Sequence, residues 1–139
     1  MTELDAFLDA VIPRQTEAER AIHNGDASAR LAMWSPNDPV TVFGAWVSKD
    51  GWTDVSQLFE WLARRFSDCT SYRFDVVAAG VSGDLAYTVG YEHTTASVNG
   101  VPSTYILRVT HVYRREDGVW KVVHRHGDAL PDDQVPLEV

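Results

Sequence analysis

The chain predicts an α+β fold, three N-terminal helices packed in a strongly curved antiparallel sheet that together make a cone. Three observations carry this. Apolar residues recur at helical spacing near the N-terminus and again over residues 53–66. From Tyr72 onward four long alternating segments follow one another with no helix between them. Their links, Ser82-Gly83-Asp84, Asn99-Gly100 and Glu116-Asp117-Gly118, are hairpin chemistry. Strands of this length twist and curl, and bulges sharpen the curl. Helices on the concave side leave a cone, whose wide end is a natural ligand cavity.

Thr2 and Asp5 form a capping box at the start of the first helix, whose stripe is Leu4, Phe7, Leu8, Val11, Ala18, Ala21 and Ile22. Pro13 interrupts it and predicts a kink or break. Gly25 ends the helix, and Asp26 caps a shorter one through Met33. After the turn cluster Ser35–Pro39, Val40 to Phe43 reads as a short strand, with Ala45 to Val47 as its partner across Gly44. Thr53 or Asp54 caps the third helix, with Val55, Leu58, Phe59, Leu62 and Phe66 on one face and Trp61, Arg64 and Arg65 away from it. A polar loop holding Cys69 leads to strands Tyr72–Val81, Leu85–Val98, Ser103–Arg115 and Val119–Gly127. The tail, Pro131 to Val139, drapes or frays.

The 139 residues are read as one domain spanning residues 1–139, with 45% hydrophobic and 23% charged residues. A net charge of −8 argues against nucleic-acid partners. No apolar run reaches the ~18 residues of a membrane span, and the acidic start is unlike a signal peptide. One cysteine makes no internal disulfide, and a reducing, cytoplasmic setting is expected. With no phosphate loop, dinucleotide fingerprint or Gly-x-Ser-x-Gly motif, no cofactor is expected.

The stretches W-S-P-N-D-P-V-T-V-F-G, G-W-T-D-V, D-L-A-Y-T-V-G and L-R-V-T-H-V-Y-R-R-E-D-G-V-W-K-V-V-H-R-H-G-D, in this order, resemble the nuclear transport factor 2-like superfamily in its SnoaL-like, ketosteroid isomerase-related branch. The resemblance runs from about Leu4 to Asp128 and implies the cone fold, a small-molecule pocket and a homodimer packed through the outer sheet face. Its members include isomerases, dehydratases, cyclases, hydrolases and proteins without catalysis. Ketosteroid isomerases carry a general-base Asp just after the first strand; here Thr41-Val42-Phe43-Gly44 holds no carboxylate, and Asp38-Pro39-Val40 precedes the strand. The kinase association domain of the superfamily lines its pocket with arginines; the matching positions are read as Glu92, His111 and Gly127, so that pattern is not expected.

Candidate site residues lie mainly on the last hairpin. If the last strand is regular, His124, His126 and Asp128 share a face with Trp120 and Val122; a bulge between Val122 and His124 exchanges them for Val123 and Arg125. His124 reads as a pocket acid or base, or as a structural histidine bonded to the neighbouring strand. His126 favours the structural role. His111 lies on the face of Tyr105, Leu107, Val109 and Tyr113, with Glu92 or His124 as partner, and a carboxylate partner would raise its basicity. Arg108 binds a ligand oxygen if it faces the pocket, or pairs with Glu92 or Asp75 if it faces outward. Tyr91, Trp46 and Trp34 are expected aromatic wall residues. His-x-His is a possible ligand spacing, but no metal is expected. Two functions remain open: proton transfer on an apolar, carbonyl-bearing molecule through His111, His124 and Arg108, or a non-catalytic binding or dimerisation module. The first requires His111 and one of His124 or Arg108 to face a cavity of ~300 Å³ or more.

Overall fold

A computed structural model of the chain describes residues 1–134. Its elements are α1 (Glu3–Ile22), α2 (Ser28–Met33), β1 (Thr41–Phe43), β2 (Ser48–Asp50), α3 (Trp52–Ala63), β3 (Phe66–Ser82), β4 (Leu85–Val98), β5 (Val101–Glu116) and β6 (Val119–Ala129). The sheet order is β2-β1-β6-β5-β4-β3. All neighbours are antiparallel except β1 and β6. The predicted α+β order and the three hairpin turns are present, and β4 has its predicted bounds.

The Thr2–Asp5 capping box closes at both ends. Pro13 does not break α1, which runs through it without interruption. The buried face of that helix is Phe7, Val11, Gln15, Ala18, Glu19 and Ile22. Its apolar members pack in the core, and its two polar members fall between them on the same stripe.

Three local expectations are corrected. β1 pairs with Ser48–Asp50, not with Ala45–Val47, because Gly44 to Val47 form the connecting loop, closed by Gly44 N donating to Val47 O at 3.1 Å. Helix α3 is not capped by Thr53 or Asp54. It starts at Trp52, whose backbone N donates to Asp38 Oδ1 at 2.8 Å, so the cap comes from fourteen residues upstream. The polar stretch Ser67–Thr70, expected as a loop, belongs to β3 with a bulge between Ser67 and Ser71, and Phe66 opens this strand instead of closing the α3 face.

The narrow end of the cone is solid. Phe7 meets Tyr113 and Trp120 edge-on at 5.1 and 5.2 Å, and Trp34 meets Phe59 at 5.0 Å. Trp34 is therefore core and not ligand wall; its expected site role is corrected by its burial against Phe59. The pairing of β5 with β6 slips between Val112 and Tyr113, leaving Val123 as the extra residue of a bulge. That bulge decides what the site contains.

Candidate functional site

Below the bulge the pleat of β6 is reversed. Trp120 and Val122 point inward as expected, but Arg125 and Gly127 then follow them in place of His124, His126 and Asp128. A single extra residue exchanges the two faces of a strand. His124 turns outward to the sheet partner, its Nδ1 2.6 Å from Thr41 Oγ1. His126 is exposed on the convex face. Arg108 pairs there with Asp128 through Nε–Oδ1 at 2.7 Å and Nη2–Oδ2 at 2.8 Å. Tyr91 lies opposite Arg108 on that same face. The predicted association of His111 with His124 or Arg108 in one cavity is thus not formed, and Arg108 takes neither Glu92 nor Asp75 as its partner.

The concave side holds an open cavity of about 310 Å³. Its walls are apolar: Val42 from β1, Val47 from the loop that follows it, Leu58 and Leu62 from α3, Phe66, Val98, Ile106 and Leu107 from the long strands. Trp46 stands at its mouth, half exposed, 5.8 Å from the Phe66 ring. The floor is polar, formed by His23, Arg30, Glu92, Tyr105 and Arg125. Two arginines reach this cavity, Arg125 from β6 and Arg30 from α2, at positions other than Glu92, His111 and Gly127.

Arg125 is 6% and Glu92 1% exposed. Arg125 donates from Nη1 to Glu92 Oε2 at 3.0 Å and from Nη2 to Oε1 at 2.7 Å. Paired guanidinium and carboxylate of this geometry satisfy the burial of both charges. Gly127 leaves the room: a Cβ there would come within 3.2 Å of Arg125 Nη2. Tyr72 donates to Glu92 Oε2 at 2.7 Å, and Gln15 Nε2 donates to the Tyr72 oxygen at 2.9 Å. Arg125 Nη1 lies 3.2 Å from His111 Nε2, and His111 Nδ1 lies 3.2 Å from Gln15 Oε1. The guanidinium can only donate, so Nε2 accepts and Nδ1 carries the proton of a neutral imidazole. Burial and the Arg125 charge push His111 well below the usual imidazole range. Its hydrogen-bond partners are Gln15 and Arg125; the nearby Glu92 charge pulls it upward, as expected of a carboxylate, but burial and Arg125 outweigh that pull.

Burial by itself would push the Glu92 carboxyl up. The charge and hydrogen bonds of Arg125, with His111 and Tyr72, override this and hold it well below the usual carboxylate range. The second pair is Arg30 with Glu19, joined by Nε–Oε2 at 2.9 Å and by Nη2 to both carboxylate oxygens. Among the described residues no hydrogen-bond partner meets Arg125 Nε or the Nη1 group of Arg30. The floor can therefore donate to a ligand oxygen while each carboxylate stays neutralised.

His23 sits at the C-cap of α1, where sequence reasoning overlooked it. The one available signal was its place a turn beyond Glu19 on the buried stripe. Its Nδ1 is 2.6 Å from the Glu19 carbonyl oxygen and its Nε2 is 2.8 Å from the Tyr105 hydroxyl. Burial pushes the imidazole down, against the opposing pull of Glu19. Burial and the nearby carboxylates Glu92 and Glu19 push the Tyr105 phenol up. Arg30 and Gln15 were missed as well, because a charged or amide residue inside a helical stripe reads as a surface residue until its partner is known.

No helix among the described residues is long and apolar enough to cross a membrane. A family model described as a SnoaL-like domain matches residues 15–131. No curated protein matches the chain. Among solved structures, a Streptomyces avermitilis protein of the nuclear transport factor 2-like family, provisionally named a dehydratase, is 19% identical with a TM-score of 0.73, over 91% of this chain and 98% of that one. A nuclear transport factor 2-like superfamily protein from Salmonella enterica is 18% identical with a TM-score of 0.70, over 91% and 96%. A Thiobacillus denitrificans protein, provisionally named a calcium/calmodulin-dependent protein kinase type II association domain, is 20% identical with a TM-score of 0.69, over 91% and 94%. At these identities the likeness is one of fold.

Proposed function

The chain belongs to the SnoaL-like domain family, and we propose that its cone binds a small apolar molecule carrying one carbonyl or similar oxygen. One observation carries the reading: an apolar cavity of about 310 Å³ ends on two buried guanidinium groups whose donors Arg125 Nε and Arg30 Nη1 have no hydrogen-bond partner among the described residues. That volume lies at the lower end of the range for small-molecule sites. The walls supply contact area without direction, and the floor supplies direction. A ligand oxygen meeting Arg125 or Arg30 gains a charge-assisted hydrogen bond worth roughly 1.5–3 kcal/mol. The chain is read as one SnoaL-like domain over residues 1–139, in a cytoplasmic setting.

The test is a matched pair of probes, 2-tetralone and tetralin, which share a fused ring and differ by a carbonyl. Calorimetric titration is expected to give roughly tenfold or more tighter binding of the ketone. Arg125→Met should narrow the difference, and Leu62→Trp, which fills the cavity, should abolish binding of both. Equal affinity for both probes, or binding untouched by Leu62→Trp, would overturn the reading.

The convex face is read as the surface of a homodimer. Val77 and Tyr87 are exposed there, and an apolar patch of this kind favours cover. Val77→Lys with Tyr87→Lys should give a monomer in sedimentation; a monomeric wild type would remove the idea.

A further inference from the structure

We infer, on the reading that this cavity holds a ligand, that the His23–Tyr105 pair is the proton-transfer element of the site, acting on an enolisable carbonyl compound. The pair takes a proton from the carbon beside the carbonyl and returns it to another atom of the same molecule. The net change is an isomerisation, with no oxidant, reductant or co-reactant.

The geometry fixes both partners. His23 leaves α1 at its C-cap, and its ring lies 4.4 Å from the Phe66 ring at 31°, which limits its rotation. Its Nδ1 faces a backbone carbonyl at 2.6 Å. A carbonyl only accepts, so Nδ1 carries the proton and Nε2 presents a lone pair. Tyr105 donates its hydroxyl proton to that lone pair at 2.8 Å. The phenol oxygen keeps a second lone pair, and Tyr105 lines the cavity. In the step, the ligand C–H bond breaks as a new O–H bond forms on Tyr105. The original Tyr105 O–H bond breaks as N–H forms on His23. The electron pair of the C–H bond moves onto the carbonyl oxygen, where unused Arg125 or Arg30 donors meet the new charge. The reverse transfer to a different ligand atom restores the pair.

The other ionisable groups of the floor are committed. Glu92 is held by Arg125 and Tyr72, and Glu19 by Arg30. His111 has both ring nitrogens occupied and lies behind the floor. The charges facing His23 are Glu19 on its own helix, Arg30 from α2 and Glu92 from β4; Tyr105 and Phe66 pack on it from β5 and β3. With burial foremost, they leave its imidazole neutral near pH 7, the state needed to accept a proton.

The experiment measures hydrogen–deuterium exchange beside the carbonyl of 2-tetralone in D₂O by proton NMR, with binding measured in parallel. Wild-type protein should accelerate exchange, and Tyr105→Phe and His23→Gln should each lose about 100-fold of that rate while still binding the ketone. Binding without accelerated exchange would overturn the inference and leave the binding site intact. Accelerated exchange that survives both substitutions would overturn it equally. Failure of 2-tetralone to bind would remove the cavity reading and the inference together. Independently of any ligand, nitrogen-15 NMR of the imidazoles should give His23 as the neutral Nδ1–H form at pH 7. An Nε2–H tautomer or a charged ring there would also overturn the proposal.

Discussion

Arg125→Met tests whether the floor of the cone is held by its buried ion pair. Methionine matches much of the arginine stem but supplies no donors. The substitution leaves the Glu92 carboxylate, 1% exposed, with Tyr72 at 2.7 Å as its one close donor and Gln15 at 3.4 Å. Removing one partner of a buried pair costs about 3–5 kcal/mol, because the other charge is stranded. For a chain of 139 residues that corresponds to a fall in Tm on the order of 12–20 °C. The double variant Arg125→Met with Glu92→Leu removes both charges and should recover most of the loss, since apolar replacement of a whole pair is close to neutral. Urea denaturation of wild type, both single variants and the double closes the cycle. The sign with pH is also fixed. In wild type the Glu92 carboxyl is held low, so its contribution is complete above the unfolded pKa and is lost only as pH falls through the folded one. In Arg125→Met the largest opposing group is gone and burial, against the weaker pull of Tyr72 and His111, raises that carboxyl, so the folded variant takes up a proton and its deficit narrows between pH 7 and 5. A single-variant cost below about 1 kcal/mol, or a double variant as unstable as the sum, would refute the stranded-charge account.

Acid sensitivity should come from histidines. His23 and His111 have folded pKa values below their unfolded ones, so stability is complete above about pH 6.5 and declines below it as the unfolded chain takes up protons. Each contributes a slope of up to about 1.4 kcal/mol per pH unit, and His111→Gln should remove one share of that slope in urea titrations at pH 7, 6 and 5. Gly90→Ala should cost roughly 1–3 kcal/mol, since its Cβ would lie 2.2 Å from the Asp75 carbonyl oxygen and 2.9 Å from the Phe74 ring; an unchanged melting temperature would contradict this. Asp38→Ala should cost about 0.5–2 kcal/mol through loss of the cap on α3, visible as a lower urea midpoint, whereas Thr53→Ala should leave that midpoint in place.

The sequence by itself determined the cone. Helical spacing, period-two alternation and turn residues are local signals. They placed α1 with its capping box, β4 at Leu85–Val98 and three hairpin turns without knowledge of any distant contact. They also placed Phe7 and Val11 on the buried stripe of α1. What the sequence left open was the inner face of β6. In W-K-V-V-H-R-H-G-D both Val122 and Val123 are buried, so alternation loses its phase at that dipeptide. Two solutions then exist, one with imidazoles inside and one with Arg125 inside. Local preference favours the first, because an arginine facing a core is costly alone. The tertiary structure decided for the second by bringing Glu92 from β4 to 2.7 Å from Arg125. His23, Gln15 and the capping role of Asp38 escaped notice for the same reason: each acts on a partner away along the chain, Tyr105, Tyr72 and Trp52 respectively. A polar residue's role is set by the group it finds across the fold, and that group is not written beside it in the sequence.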